Sequence, residues 1–123
     1  MKLIATTRKQ TRHPGRNGGV RYALYARTAA GGREAVDVQL ASLRAAVADR
    51  ADGRVVREHA DVNVPAESGP GLAALLRDLS DGIADTVLVT DIARLTRSSR
   101  HLGCILAAVE RNGARLLTTT EAA

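Results

Sequence analysis

The apolar positions between residues 20 and 119 alternate between short continuous runs and widely spaced stripes. Short runs, which are typical of buried strands, cover 20–27, 86–89 and 115–119, and a more polar one covers 54–59. Between these runs, apolar residues recur three or four positions apart, which is the spacing of one helix face. The pattern therefore predicts the order β-α-β-α-β-α-β.

The three helical stripes have recognisable starts. The first helix is predicted at about 35–50, the second begins at Pro70, and Ser98 or Ser99 caps the third. Asp81-Gly82 and Asn112-Gly113 end the second and third helices. The inward-facing residues of the stripes are the predicted helical core: Val36, Leu40, Leu43, Val47, Leu72, Leu75, Leu76, Leu79, Leu102, Ile105, Leu106 and Val109. Cys104 lies within the third stripe and is predicted to be a small core residue.

Alternating strands and helices with short connections predict a three-layer α/β domain with a mainly parallel sheet and right-handed crossovers. In such sheets, ligands bind beyond the carboxyl ends of the strands. This rule brings Arg27, at the end of the first strand, near Arg94 and Arg97, which follow the third. Guanidinium groups keep their charge and suit phosphate, so the topology predicts an anion site. The alternative is that Arg94 and Arg97 lie on a solvated helix face.

Charge is distributed unevenly along the chain. The net charge is +5, yet residues 1–21 carry six basic residues and no acidic one, which leaves −1 for the remainder. We interpret residues 1–19, with their glycines and Pro14, as a flexible basic arm that suits a polyanion. A disordered solubilising tail is the alternative. The chain contains no Phe or Trp and only two Tyr, which disfavours binding of single strands by base stacking and predicts an aliphatic core.

Several other classes of protein are disfavoured by composition. A single cysteine forms no intrachain disulfide, and three scattered histidines lack the spacing of a metal site, so no metal or cofactor is expected. No glycine-rich dinucleotide motif follows the first strand. The chain shows no signal peptide and no membrane span, and a cytoplasmic protein without membrane contact is expected.

Two short segments, Tyr25-Ala26-Arg27-Thr28-Ala29 and Ala93-Arg94-Leu95-Thr96-Arg97, resemble motifs of the serine site-specific recombinases, the resolvase/invertase family. The resemblance extends over about residues 21–121 and includes Gln39, which matches a glutamine early in the family's first helix. It implies that residues 20–123 form a resolvase-like catalytic domain with flavodoxin-like topology. It also implies a phosphate- and DNA-binding set, which comprises Tyr25, Arg27, Gln39, Arg94 and Arg97.

Three positions depart from the family pattern. Ala29 stands where the family has its nucleophilic serine, Ala93 replaces an aspartate, and Gly69 replaces an arginine. A covalent mechanism needs a nucleophile, so no catalytic set is intact and an inactive protein is expected. Four hydroxyl groups are candidate substitutes, those of Thr28, Thr96, Ser98 and Ser99. Thr28 is adjacent to position 29 in an extended segment and is expected to point to the opposite face.

The resemblance therefore implies an inactive serine-recombinase-like protein. The charge distribution predicts that it binds DNA weakly and without sequence preference, through the basic arm and the arginine pocket. We expect no C-terminal DNA-binding domain, since the sequence ends at Ala123. Three alternatives remain: a regulator that docks on a full-length recombinase, an active recombinase with a different nucleophile, and a remnant of a mobile element. The sequence does not determine the oligomeric state.

Overall fold

The computed structural model describes residues 4–5, 19–64 and 69–119. Within these ranges it contains five strands and three α-helices. The strands are β1 (Ile4–Ala5), β2 (Val20–Arg27), β3 (Gly53–Asp61), β4 (Thr86–Val89) and β5 (Arg115–Thr118). The helices are α1 (Arg33–Arg50), α2 (Pro70–Ser80) and α3 (Ser99–Arg111), and a short 3-10 helix covers Ile92–Arg94.

The strands form one sheet in the order β1-β5-β4-β2-β3. Strands β2 to β5 are mutually parallel, which confirms the predicted α/β fold and its flavodoxin-like strand order. Strand β1 was not predicted, since two residues are too short for a periodic signal. It pairs antiparallel with β5, with Ile4 opposite Thr118 and Ala5 opposite Leu117. The rest of the predicted arm, up to residue 18, lies outside the described residues, so its flexibility stays a prediction.

Two apolar cores lie on opposite faces of the sheet because side chains alternate along each strand. Ala23 and Tyr25 of β2 face α2 and α3, whereas Tyr22 and Leu24 face α1. The expectation of a purely aliphatic core was wrong, because both tyrosines are fully buried. Burial of a tyrosine requires a partner for its hydroxyl, and Tyr22 donates to Asp52 Oδ1 at 2.8 Å.

The helical stripes are confirmed, but the placement of Cys104 is not. The predicted residues of α1 are buried, and those of α2 and α3 are buried or partly buried. Ser98 is the N-cap of α3, and its hydroxyl accepts from His101 N at 3.1 Å. Cys104 is exposed, which corrects the prediction. It precedes the buried Ile105, and one residue turns a helix by about 100°, so the thiol lies outside the buried stripe.

The amino-terminal edge of the sheet is fixed by a charged contact between β2 and the start of β4. The Asp85 carboxylate accepts from Arg21 N at 3.1 Å and forms an ion pair with Arg21 Nε at 3.1 Å. Thr86 Oγ1 also donates to Asp85, at 3.0 Å. None of the helices in the described ranges is long and apolar enough to cross a membrane.

Two valines on α1 provide a matched test of this packing. Val36 is fully buried, whereas Val38 is 69% exposed. We expect Val36→Ala to lower the free energy of unfolding by about 2 kcal/mol, because two buried methyl groups are lost and a small cavity remains. Val38→Ala should change it by less than about 0.5 kcal/mol. Denaturant unfolding measures both, and equal effects would contradict the assigned faces of α1.

Candidate phosphate-binding site

The guanidinium of Arg27 lies at the carboxyl end of the sheet, where the topology predicted it. Arg27 is only 4% exposed, and it donates to three backbone carbonyls. These are the carbonyls of Arg94 (Nε, 3.0 Å), Ala93 (Nη2, 3.1 Å) and Val64 (Nη1, 3.0 Å). A guanidinium has five N–H groups, so about two remain for a further acceptor. Arg27 thus holds the loop after β3 and the 3-10 helix against β2.

Arg94 lies directly beside Arg27, as predicted, but Arg97 does not join them in a shared contact. Arg94 Nη1 donates to the Arg27 carbonyl at a long 3.4 Å. Arg94 Nε is buried, and no hydrogen-bond partner for it exists within the described ranges. Arg97 is exposed on the turn before α3. The structure therefore brings two of the three predicted arginines together and leaves the third at the surface.

Gln39 makes a two-point contact with the backbone of Arg27. Its Oε1 accepts from Arg27 N at 3.1 Å, and its Nε2 donates to the Arg27 carbonyl at 3.0 Å. Both contacts are buried, and they close the end of β2 against α1. In this arrangement both polar atoms of the Gln39 amide are bonded to the Arg27 backbone, so Gln39 acts by positioning Arg27.

A buried carboxylate, Asp61, lies at the end of β3 and was not identified from the sequence. It is 3% exposed and accepts from Gly71 N at 2.7 Å and Leu72 N at 2.9 Å, at the start of α2. It also accepts from the Tyr25 hydroxyl at 2.7 Å. Backbone N–H groups and the positive end of a helix stabilise a carboxylate. Tyr25, a predicted phosphate-binding residue, therefore has its hydroxyl bonded to Asp61.

Burial and the neighbouring Asp61 carboxylate both raise the pKa of Tyr25, and burial is the larger cause. The pKa of Tyr22 is raised for the same first reason, with the hydrogen bond to Asp52 second. Both phenols are therefore held in their neutral form. Neither has the lowered pKa that a tyrosine nucleophile would need.

Position 29 lies in the exposed part of a loop whose first residue, Thr28, is fixed. Thr28 N donates to the Asp61 carbonyl at 3.0 Å, and Val64 N donates to the Thr28 carbonyl at 3.1 Å. Asn63 completes the attachment, since its N–H donates to Thr28 Oγ1 and its Oδ1 accepts from Gly32 N, each at 3.1 Å. Ala29 is exposed and presents only a methyl group.

Three of the four candidate substitute hydroxyls are engaged in local structure. Thr28 is 3% exposed and turned inward, as expected. Thr96 is 2% exposed, and its Oγ1 accepts from Ser98 N at 3.0 Å. Ser98 caps α3 through its own hydroxyl. Ser99, the first residue of α3, is the exposed member of the set.

The two other departures from the family pattern, at positions 93 and 69, differ in their structural consequences. Ala93 is exposed, and its carbonyl is an acceptor of Arg27. Gly69 lies against Asp61, and a Cβ placed at this position would collide with the Asp61 carboxylate. Position 69 therefore has no space for a side chain in this arrangement of β3 and α2. The described residues contain no cluster of His, Cys, Asp or Glu that could hold a metal ion.

Comparison with known families agrees with this geometry. The profile of the family described as "Resolvase, N terminal domain" matches residues 22–123. The chain belongs to this family, the serine recombinases of the resolvase type. It is therefore a member of a DNA recombination family. A search of curated protein sequences gave no significant match.

Solved structures of recombinase catalytic domains share the fold of this resolvase-family chain. The C-terminal catalytic domain of ISC1926 TnpA, an IS607-like serine recombinase, gives a TM-score of 0.75 at 22% identity, with 82% of this chain and 71% of that chain covered. The N-terminal catalytic domain of TP901-1 integrase gives 0.74 at 23%, with 80% and 77% covered. A resolvase family site-specific recombinase from Streptococcus pneumoniae gives 0.66 at 19%, with 79% and 70% covered.

Sequence reasoning missed Asp61 and Asn63. The rule that placed Arg27 and Arg94 at the carboxyl ends of strands also applies to Asp61, because Asp61 ends β3. The position of Asp61 just after a predicted strand was therefore a signal that could have identified it. Asn63 carried no comparable signal, since its role depends on a positive φ of 58° and on two contacts with a loop about 30 residues earlier.

The two buried tyrosines allow a test by alkaline titration. Since the native pKa values of Tyr22 and Tyr25 lie above 10.0, we expect less tyrosinate near pH 10 in the folded protein than in the denatured chain. The stability that their protonated forms contribute is complete below pH 10 and is lost as the pH rises through the higher native values. Near-ultraviolet absorbance measures tyrosinate, and the denatured chain, titrating near pH 10, is the control. Native titration near pH 10 would contradict the buried hydrogen bonds.

Two glycines test the contact between position 69 and Asp61. Gly69→Ala should lower the free energy of unfolding by about 1–3 kcal/mol, because the new methyl group overlaps the buried carboxylate. Gly103, inside α3, has no atom within 4 Å of a new Cβ, and Gly103→Ala should stabilise the protein by about 1 kcal/mol. Thermal and denaturant unfolding measure both. A neutral Gly69→Ala would show that Asp61 does not close position 69.

Proposed function

We propose that this protein is a catalytically inactive member of the serine recombinase family that keeps part of an arginine phosphate-binding site and contacts DNA through it. The observation that carries the proposal is the exposed methyl group of Ala29, at the position that the motif resemblance assigns to the family's nucleophile. A methyl group cannot attack phosphorus, so no covalent protein–DNA intermediate forms at this position.

The state of the nearby hydroxyls supports the same conclusion. A substitute nucleophile must reach a phosphate and lose its proton to a base. Thr28 and Thr96 are buried, and Ser98 is committed to the cap of α3. Ser99 is exposed but begins α3, and the structure shows no hydrogen bond from its hydroxyl to a base within the described ranges.

Arg27 and Arg94 support phosphate binding that is weaker than that of a family site with all of its arginines. Arg27 retains about two N–H groups beyond its three carbonyl partners. Arg94 has a buried Nε without a partner in the described structure. Position 69 contributes no cation. We propose that these groups, with Arg97 and the basic arm, bind the phosphate backbone weakly and without sequence preference, since backbone contacts carry no base information.

The proposal predicts that no covalent protein–DNA adduct forms. Labelled supercoiled DNA is incubated with the protein and separated by denaturing electrophoresis. We expect no shifted, protease-sensitive band. If such a band is seen, the protein is active, and Ala substitutions at Thr28, Thr96, Ser98 and Ser99 in turn identify the nucleophile.

The variant Ala29→Ser is the informative control in the same assay. It restores the hydroxyl but not the arginine at 69 or the carboxylate at 93. Loss of one group that stabilises developing charge typically lowers the rate by about 10²–10³, so we expect this variant to remain inactive or nearly so. Robust strand cleavage by Ala29→Ser would show that positions 69 and 93 are dispensable.

A further inference from the structure

The outer face of α3 carries an aligned set of exposed residues that the arginine site does not use. Arg100, Cys104, Ala107 and Arg111 follow one another at spacings of four, three and four, so they lie along one line of the helix. All four are exposed. At 1.5 Å per residue, the Cα atoms of Arg100 and Arg111 are about 16 Å apart. We call this set the α3 basic face.

Positive charge on this face is not neutralised by neighbouring carboxylates. Residues 94–111 contain four arginines and one acidic residue, Glu110. Among the described residues, no ion pair involves Arg97, Arg100 or Arg111. Helix α1 differs, because it carries three arginines and three acidic residues. All three of its arginines form ion pairs, with Asp37, Glu58 and Asp52.

The helix dipole acts differently on the charges of this region, because Arg111 lies in the last turn of α3, where a cation is favoured. The first turn of α3 contains no acidic residue, and Arg97 and Arg100 lie at its amino-terminal end. The positive end of the helix dipole repels cations there. A bound anion near Arg97 and Arg100 would relieve this repulsion.

We propose that the α3 basic face binds the sugar–phosphate backbone of duplex DNA. This inference rests on the proposed function and adds a second contact surface to the site of Arg27 and Arg94. Between the two arginines, the line itself carries only the small side chains of Cys104 and Ala107, which lets a backbone approach closely, and the exposed carboxylate nearby, that of Glu110, lies to the side of the line. The face has no aromatic side chain on which unpaired bases could stack, so duplex DNA fits better than a single strand.

Cys104 provides a direct probe, because it is the only cysteine of the chain and lies in the middle of the face. We expect duplex DNA at low salt to slow its alkylation by a maleimide at least several-fold, with protection lost at high salt. The control is Cys104→Ser/Ser42→Cys, which moves the thiol to the exposed side of α1. DNA should leave that thiol reactive.

A charge test complements the probe. Each phosphate contact contributes roughly −0.9 to the log–log salt slope of binding, so Arg100→Gln/Arg111→Gln should reduce the magnitude of the slope by about 2. Arg44→Gln/Arg50→Gln makes the same change in net charge on α1, where both arginines are paired. This control should leave the slope unchanged. Fluorescence anisotropy on a labelled duplex measures the slopes, and circular dichroism verifies folding.

The outcomes separate this inference from the proposed function. Protection of Cys104 together with a reduced slope supports the α3 basic face. Duplex binding with an unprotected Cys104 and an unchanged slope overturns it but leaves the proposed function standing. Absence of duplex binding at low salt overturns both. Protection by anionic phospholipid vesicles but not by duplex DNA would assign the face to a membrane surface and overturn the inference.

Discussion

The buried carboxylate of Asp61 is the contact on which the functional edge of this domain depends. A carboxylate that is 3% exposed is unfavourable unless several donors surround it. Here the hydroxyl of Tyr25 and two N–H groups at the start of α2 supply them. The contact therefore joins β2, β3 and α2 at one point. It also closes position 69, because a side chain there would overlap the carboxylate.

Arg27 is a buried cation at the same edge of the sheet. Its charge is stabilised by the carbonyls of Val64, Ala93 and Arg94, so the two loops that border the site are bound to it. These three bonds leave about two N–H groups of Arg27 for a phosphate. Arg94 adds a buried Nε that lacks a partner in the described ranges. Most hydrogen-bond donors of Arg27 are thus used within the protein, and only part of the donor capacity at this edge remains for a ligand.

The two sides of the sheet differ in how their charges are balanced. The arginines of α1 are paired with carboxylates. The arginines of α3 and of the turn before it extend into solvent. Helix α3 packs against the face of the sheet opposite to the one that α1 covers. An uneven charge distribution of this kind concentrates the electrostatic potential on one side. The proposed DNA contacts lie on this side, which includes α3 and the edge with Arg27 and Arg94.

The sequence by itself determined the order of strands and helices and most of the residues that face the core, and the resemblance to the resolvase family implied the strand order of the parallel sheet. Hydrophobic periodicity is local, and alternation of strands and helices leaves few topologies. The rule that ligands bind beyond the carboxyl ends of parallel strands placed Arg27, Arg94 and Arg97 at one edge, and the structure brings the first two together there. Only the tertiary structure decided what these side chains contact, because their partners are far away in the chain, 67 residues for Arg27 and Arg94 and 36 for Tyr25 and Asp61. The outward direction of Cys104 and the pairing of β1 with β5 were decided in the same way, by packing between elements rather than by local pattern.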